Sequence, residues 1–299
     1  MLSQYCHIVD VLRKFNPQLT EASLEGETYI GQQDTQQIEA RIRAVGSDFE
    51  TNTGRALRLQ RAGSPGAEET YAVGRLYKRR PLKISFPHDH ILPFDPSEGD
   101  SLEFRVARDR YRDITEDTNA YVLKSKPGQL TIYRRRLPNP FWGDEEDRIV
   151  RATYRYGALG GDNRQGGQTA LTEAVDDETT TLSVENTGRL PTYPDVVLIN
   201  NSEYAQVVAI DHASDELTVR RGSDATVASE HDSGVPVHYC PRTVRDAVAG
   251  KVAQELLRYD DWVEELAEEA QMLGGKEKVD QWEKEYEQQL GKHAGVRRM

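Results

Sequence analysis

Residues 171–237 carry the pattern that most constrains the fold of this chain. Short apolar stretches, such as VVLIN and AQVVAI, alternate there with turn residues. Strand-length stretches at this spacing predict a small all-β module, a barrel or a sandwich. Its strands are predicted at 169–174, 180–184, 195–200, 204–212 and 216–220.

Both ends of the chain predict amphipathic helices instead. A short helix is predicted at 7–15, and a longer one at 34–53 has its apolar stripe at Ile38, Ile42, Val45 and Phe49. A third helix begins at Pro241 and is predicted to reach residue 273, and a fourth spans 276–290. Proline suits a first helical turn, and the i, i+3, i+4 spacing of the apolar residues is the helical period.

The stretch between the second helix and the β module is also rich in strand patterns. Strands are predicted at 70–76, 82–85, 102–106, 120–123, 129–133 and 148–156, with proline and glycine at the turns between them. The segment GGDNRQGG, 160–167, is a flexible linker by composition. It lacks the Gly-Lys-Ser/Thr ending of a phosphate-binding loop.

The predicted fold class is therefore α+β. No single amphipathic helix here can bury its stripe alone, so the helices of the two ends are expected to meet. We expect a helical bundle with two β-rich insertions. The predicted parts are an N-terminal helical part (1–60), a first β-rich region (61–159), an inserted small barrel or sandwich (160–240) and C-terminal helices with a tail (241–299).

The charge of the chain indicates a salt-adapted surface. The net charge is −12, with 50 acidic and 38 basic residues among 299, and only 10 of the basic residues are lysines. At molar salt the Debye length falls to about 3 Å, so neighbouring carboxylates repel weakly. An acidic protein of ordinary salt is the alternative. Tight binding of nucleic acid through phosphates is disfavoured, because it needs clustered lysine and arginine.

Three basic runs, 75–80, 105–112 and 134–136, fall in the first β-rich region. They are either solvated strand faces and edge-protecting charges or a positive surface that docks an acidic partner. Cys6 and Cys240 have no metal-ligand spacing and are predicted to be reduced thiols, with a single long-range disulfide between them as the alternative. The chain shows no secretory signal and no apolar run long enough for a bilayer, so we expect it to be made in the cytoplasm.

Residues with catalytic potential do not form a recognisable set. His88 and His90 alternate as two ligands of one metal ion would on a strand, but no further ligand follows at a suitable spacing. A solvated turn is the alternative for this segment. We therefore predict no catalytic residues, no metal site and no cofactor.

Three segments together resemble the head–tail adaptor (connector) proteins of tailed viruses. They are IEARIRAVGSDFETNTGR (38–55), RIVRATYRYG (148–157) and CPRTVRDAVAGKVAQELL (240–257). The β module is similar to a β-domain of many structural proteins of tailed viruses, through the pattern Leu217, Val219, Arg221, Gly222, Thr226, Ala228, His231, Gly234 and Val237. In the adaptor family the proline-led helix follows the tyrosine-rich strand within a few residues, whereas here the β module separates them.

The resemblance implies a non-enzymatic virion protein in the neck of a tailed virus. The acidic, lysine-poor composition adds the expectation of a salt-adapted host, such as a halophilic archaeon. The resemblance also implies a homo-oligomeric ring of twelve subunits, assembled in the host cytoplasm, between a portal protein and a tail or neck protein. Viral DNA passes through such a ring without sequence-specific binding, and no membrane is involved. A tail or baseplate adhesin that binds a receptor or sugar through the β module is the alternative, and an enzyme with an unrecognised site is a third.

Five residues are candidates for the portal or subunit interface. Trp282, Tyr286 and Leu290 lie on one stripe of the last helix, either as its core stripe or as an anchor for a partner. Arg297 and Arg298 form a solvated terminus, or a basic tail that orders on the portal. In the β module, Arg221, Gly222, His231 and Gly234 are predicted to be structural, with His231 bonded to a nearby backbone group.

Overall fold

The computed structural model describes residues 4–19, 32–53, 59–62, 69–72, 81–107, 110–125, 127–133, 148–157, 167–239, 241–257 and 275–293. Within these ranges the chain has four α-helices and fourteen β-strands, so it is a mixed α+β protein, as predicted. It divides into two compact units. The first consists of Met1–Arg55 and Gly167–Met299, and the second is Ala56–Gly166.

Helices from both ends of the chain belong to the first unit. They are α1 (Ile8–Phe15), α2 (Gln32–Thr53), α3 (Arg242–Leu256) and α4 (Gly275–His293). The start of α1 is closed by a reciprocal cap, in which the His7 ring accepts the Val9 N–H and Asp10 accepts the His7 N–H. Such a cap satisfies N–H groups that the first turn leaves free.

Helix α3 packs against each of the other three helices. The predicted stripe of α2 is buried, as are Val244, Val248, Val252 and Leu256 of α3. Trp282 of α4 meets Phe15 edge-on with ring centroids 6.2 Å apart, and Tyr286 meets Phe49 at 5.6 Å. A Cβ on Gly250 would lie 3.2 Å from the Cβ and Cγ of Trp282, so the glycine allows α3 and α4 to come this close.

The β module also belongs to the first unit and is a six-stranded antiparallel sheet in the order β10-β13-β12-β11-β14-β9. The strands are β9 (Gln168–Ala170), β10 (Thr181–Ser183), β11 (Val196–Ile199), β12 (Glu203–Asp211), β13 (Glu216–Arg220) and β14 (Pro236–Tyr239). The two outer strands approach each other, because Leu171 bridges Val184 and the Glu185 N–H donates to Ala170. The sheet thus curls into a barrel-like shape.

The interior of the barrel-like sheet is purely aliphatic over much of its length. Its core contains Leu171, Leu182, Val184, Val197, Ile199, Ala205, Leu217, Val219 and Val237. Along β12 the odd residues from Glu203 to Val207 face inwards and the even residues face outwards, which is the period of a strand. The turn before β12 has Asn200 at φ 50° and Asn201 at φ 59°, a left-handed pair that asparagine tolerates and that suits a tight hairpin.

The second unit is all β within its described residues. In one sheet, β1 (Gln60–Ala62) and β2 (Glu69–Ala72) pair with opposite ends of β8 (Arg148–Tyr156). β8 also pairs with β4 (Ser101–Ala107), and β4 pairs in turn with β5 (Arg110–Asp113). β3 (Leu82–Ser85), β7 (Gln129–Ile132) and β6 (Tyr121–Lys124) form a second, three-stranded sheet. Tyr154 of β8 is fully buried at the centre of the shared apolar core.

Three strands have no counterpart among the predictions, namely β1, β5 and β14. β1 (QRA) and β5 (RYRD) each contain a single apolar residue and therefore show no strand period, and β14 begins with a proline, which the first position of a strand tolerates. The predicted extension of the third helix, 258–273, lies outside the described residues, as do residues 73–76 of the predicted strand that begins at 70.

Candidate functional site

The most elaborate polar arrangement in the first unit surrounds the carboxylate of Glu203, which is completely buried at the start of β12. Arg221 donates to both oxygens, from Nε at 2.7 Å and from Nη2 at 2.8 Å. The backbone N–H groups of Gly222 and Ser229 donate at 3.0 Å and 3.1 Å, and His231 Nε2 lies 2.9 Å away. We call these five residues the Glu203 clasp.

Hydrogen bonds within the Glu203 clasp keep the carboxyl group of Glu203 ionised. Burial opposes ionisation of Glu203, but the bonds from Arg221, His231 and the two N–H groups outweigh it and lower its pKa to about 2. The remaining guanidinium N–H groups of Arg221 donate to the carbonyls of Asp176, Thr179 and Ser229. These bonds occupy both carboxylate oxygens of Glu203 and every N–H of the Arg221 guanidinium. The clasp therefore has a structural role, because it holds the loop after β13 against the sheet.

Three of the four residues predicted to be structural in the β module meet in this clasp. Arg221, Gly222 and His231 all bind Glu203. The prediction that His231 bonds a backbone group was wrong, because its ring bonds this buried carboxylate and only its backbone bridges Val175. Gly234 lies apart in a turn, at φ 81°. The sequence reasoning missed Glu203 itself. A glutamate at the start of an apolar strand was the available signal, because a charged residue on an inward position requires buried partners.

A second buried polar group joins the β module to the helices. Tyr204 faces outwards from β12, donates to Asp10 Oδ2 at 2.6 Å and accepts the His7 N–H at 2.9 Å. Arg245 of α3 lies over the Tyr204 ring at 4.5 Å, pairs with Asp224 at 2.7 Å and approaches Asp10 at 3.9 Å. We call these residues the Tyr204 joint.

Burial dominates the titration of the Tyr204 joint. Burial raises the pKa of Asp10 although Arg245, Tyr204 and the His7 N–H all favour its charged form. Burial likewise lowers the pKa of His7 to about 4 and raises that of Tyr204. Both tyrosine and histidine are therefore neutral at pH 7, and the joint is held by hydrogen bonds and one guanidinium.

Further bonds at the same junction involve Gln4, just before α1. Its N–H donates to Asn201 Oδ1 at 2.9 Å, and its carbonyl lies 2.9 Å from His238 Nε2 of β14. The N-terminal segment thus contacts two separate points of the β module. These contacts and the Tyr204 joint make the module and helix α1 one packed body.

The predicted interface residues have different environments. Trp282 and Tyr286 are 8% and 6% exposed, so most of each side chain is used in packing among the helices. Leu290 is half-buried at the side of a groove. Arg297 and Arg298 lie outside the described residues.

That groove runs between α2, α3 and α4 and is strongly acidic. It is lined by Val45, Asp48, Asn52, Lys251, Glu255, Glu283, Tyr286, Glu287 and Leu290. Four carboxylates face one ammonium, that of Lys251, which lies 3.9 Å from Glu283. We call it the acidic groove.

A second groove lies where the β module meets the N-terminus of α3. It is lined by Asp195, Val196, Gln206, Arg220, Gly222, Ser223, Asp224, Arg242 and Arg245. Arg220 is exposed, and the side chain of Arg242 is 76% exposed with Asp246 3.8 Å away. We call it the basic groove, since three guanidiniums face two carboxylates.

In the second unit, His88 packs against two tyrosine side chains. Its Nδ1 lies 2.9 Å from the Tyr154 hydroxyl, and its ring stacks on Tyr156 with centroids 3.8 Å apart. Among the residues that the structure describes, no three histidine, cysteine or acidic side chains are grouped as metal ligands. Of the basic runs, 75–80 and 134–136 lie outside the described residues, whereas Arg110 and Arg112 are exposed on the edge strand β5.

In the described ranges, no helix has the length and apolarity needed to cross a membrane. Comparisons of the chain with protein-family models, curated proteins and solved structures found no match.

Proposed function

We propose that this chain is a non-enzymatic head–tail adaptor of a tailed virus. In this proposal it forms an oligomeric ring of about a dozen subunits between the portal and the tail and extends the DNA channel. The helices of the two chain ends form one bundle, and the two β-rich regions are insertions between α2 and α3. The three segments that resemble the adaptor family, 38–55, 148–157 and 240–257, are the first support for it.

The observation that carries the proposal is the Tyr204 joint. A ring subunit must present different faces to its two neighbours, to the portal and to the tail, and their relative positions must be fixed. The joint fixes the β module to α1 and α3 through Asp10, Tyr204 and Arg245, all of them buried. A module on a free linker would not need buried polar bonds with partners 194 and 234 residues away in sequence, such as Tyr204 with Asp10 and His238 with Gln4.

The charge of the chain fits a DNA channel. With 50 acidic and 38 basic residues, the chain has more carboxylates than cations to meet the phosphate backbone. DNA can then pass through the ring without being held by counterion release, which requires clustered lysine and arginine.

The first experiment is a mass measurement by light scattering at molar salt, with and without a portal protein. We expect the measured mass to correspond to a ring of about a dozen subunits, formed by the chain alone or on the portal. A chain that stays monomeric and does not bind the portal contradicts it. The variant Arg297→Glu/Arg298→Glu tests whether the C-terminal tail docks on the portal, with Lys83→Glu/Lys124→Glu as the control of equal charge change at exposed lysines.

A tail or baseplate adhesin is the second candidate, and one observation favours it. Tyr193 and Val208 of the β module are 91% and 67% exposed, and exposed aromatic and aliphatic groups commonly contact sugars or receptors. A glycan array probed with the wild-type chain and with Tyr193→Ala tests it. Binding that the substitution abolishes supports the adhesin, and the absence of any binding contradicts it.

A further inference from the structure

Helix α3 is charged against its own dipole at both ends. Its first turn has no acidic residue but contains Arg242 and Arg245, and its last turn has no basic residue but contains Glu255. The N-terminal end of a helix favours anions and the C-terminal end favours cations. Helix α1 follows this rule, with Asp10 in its first turn and Arg13 and Lys14 in its last.

Two of these unfavourably placed charges form ion pairs within the subunit. Arg245 is buried and pairs with Asp224, and Glu255 pairs with Arg41 at 3.3 Å. Arg242 is different, because its exposed guanidinium has only the exposed Asp246, at 3.8 Å, among the described residues. Its charge therefore adds little to the stability of the subunit and is available to a partner.

The two grooves lie at opposite ends of this helix. Arg242 belongs to the basic groove and Glu255 to the acidic groove. The two residues are thirteen positions apart in α3, which corresponds to about 20 Å along a helix axis. One subunit thus presents opposite charges at two separate places, the arrangement that a head-to-tail contact between identical chains needs.

The acidic groove also contains a phenol, that of Tyr286. Its ring packs against Phe49, and the residue lines the groove beside Asp48 and Glu287. Burial, with Asp48 and Glu255 nearby, raises the pKa of Tyr286, so the hydroxyl stays protonated. Carboxylates beside a protonated phenol oxygen form a suitable site for a guanidinium, which can donate to both.

From these observations we infer that the basic groove of one subunit docks into the acidic groove of a second copy of the chain. Arg242 and Arg220 are the donor side chains, and Asp48, Glu283 and Glu287 with Tyr286 are the receiving group. The inference rests on the proposed ring and names the faces through which it closes. Ion pairs that become buried in such a contact are screened by salt much less than exposed charges are.

Reciprocal charge reversal tests this contact. The variant Arg220→Glu/Arg242→Glu has two acidic faces, and Asp48→Lys/Glu287→Lys has two basic faces. Each alone should associate at least about tenfold more weakly than the wild-type chain, because like charges then meet at every contact. An equimolar mixture of the two should assemble again, because every contact between unlike chains is complementary.

Combining all four substitutions in one chain gives a second test. This chain is self-complementary, so it should assemble alone but should not mix with wild-type subunits. The matched controls are Lys83→Glu/Lys124→Glu and Glu173→Lys/Glu178→Lys, which reverse the same number of charges at exposed positions outside both grooves. Circular dichroism of each variant confirms that it is folded.

Each outcome decides the inference. Light scattering should show assembly of the wild-type chain, both controls, the mixture and the fourfold variant, and loss of assembly for each reversed variant alone. If the reversed variants assemble like the wild-type chain, or if the mixture does not recover, the contact lies elsewhere while the proposed ring stands. If the wild-type chain assembles neither alone nor on the portal, the proposed function and this inference both fail.

Discussion

Replacement of Glu203 by glutamine tests whether the Glu203 clasp holds the β module together. Glutamine has the shape of glutamate, but it removes the charge and turns one accepting oxygen into an amide donor. In the folded chain each oxygen of Glu203 accepts from Arg221, and Oε2 also lies near His231. Whichever way the glutamine amide is oriented, its NH2 group then faces N–H donors of the clasp that a carboxylate oxygen had accepted.

The expected loss follows from two separate arguments. Breaking a buried ion pair by removing one partner costs about 3–5 kcal/mol, because the Arg221 guanidinium stays buried without its carboxylate. The pKa of Glu203 falls from its ordinary 4.5 to about 2 in the folded chain. That shift corresponds to about 3 kcal/mol of preference for the charged form. We therefore expect Glu203→Gln to lower the free energy of unfolding by about 3–5 kcal/mol.

Chemical unfolding followed by far-ultraviolet circular dichroism measures this loss. Since the chain has two compact units, we expect the denaturant midpoint to fall only for the transition of the first unit, with its slope unchanged. Glu173→Gln, an exposed substitution in the same module, is the control and should change stability by less than about 0.5 kcal/mol.

The double variant Glu203→Gln/Arg221→Met separates the buried charge from the lost bonds. It should be less destabilised than the sum of the two single variants, because methionine leaves no buried charge without a partner. A loss below about 1 kcal/mol for Glu203→Gln would be within the range of an ordinary surface or single-bond change, and it would refute the reasoning.

Three further predictions follow from the same part of the molecule. Because the folded-state pKa of Glu203 is about 2 and its ordinary value is 4.5, its contribution is complete above pH 4.5 and is lost as the pH falls towards 2. The acid unfolding curve of Glu203→Gln should therefore lack the loss of stability that Glu203 causes between pH 4.5 and 2. An acid midpoint equal to that of the wild-type chain would contradict this role of Glu203. Tyr204→Phe removes the bond to Asp10 and should cost about 1–3 kcal/mol in urea unfolding, whereas Tyr193→Phe, at an exposed position, should be neutral; equal effects would contradict the joint. Gly222→Ala should cost more than about 2 kcal/mol, because its φ is 57° and a Cβ would lie 2.9 Å from the Ala228 nitrogen, whereas Gly234→Ala, with open space around it, should lose only about 1 kcal/mol in thermal unfolding. Similar losses at both glycines would show that the close approach at Gly222 is unimportant.

The sequence alone was sufficient for much of the local structure. The stripe of α2 at Ile38, Ile42, Val45 and Phe49 is buried, because one apolar face repeated over several turns has only one way to leave water. Most strands of the β module were predicted for the corresponding reason at a period of two. Arg221, Gly222 and His231 were singled out as structural from a resemblance, without their partner being known.

Only the tertiary structure decided which distant polar groups meet. Asp10 and Tyr204 are 194 residues apart, and a hydrogen bond over such a distance leaves no periodic pattern in the chain. Glu203 was missed for the same reason: a single buried charge is stable only through partners that the fold brings to it. The grooves at the two ends of α3 likewise combine residues from three helices or from strands and a helix, so their opposite charges exist only after folding. Sequence periodicity determines which face of an element leaves water, whereas the packing of elements determines which charges become neighbours.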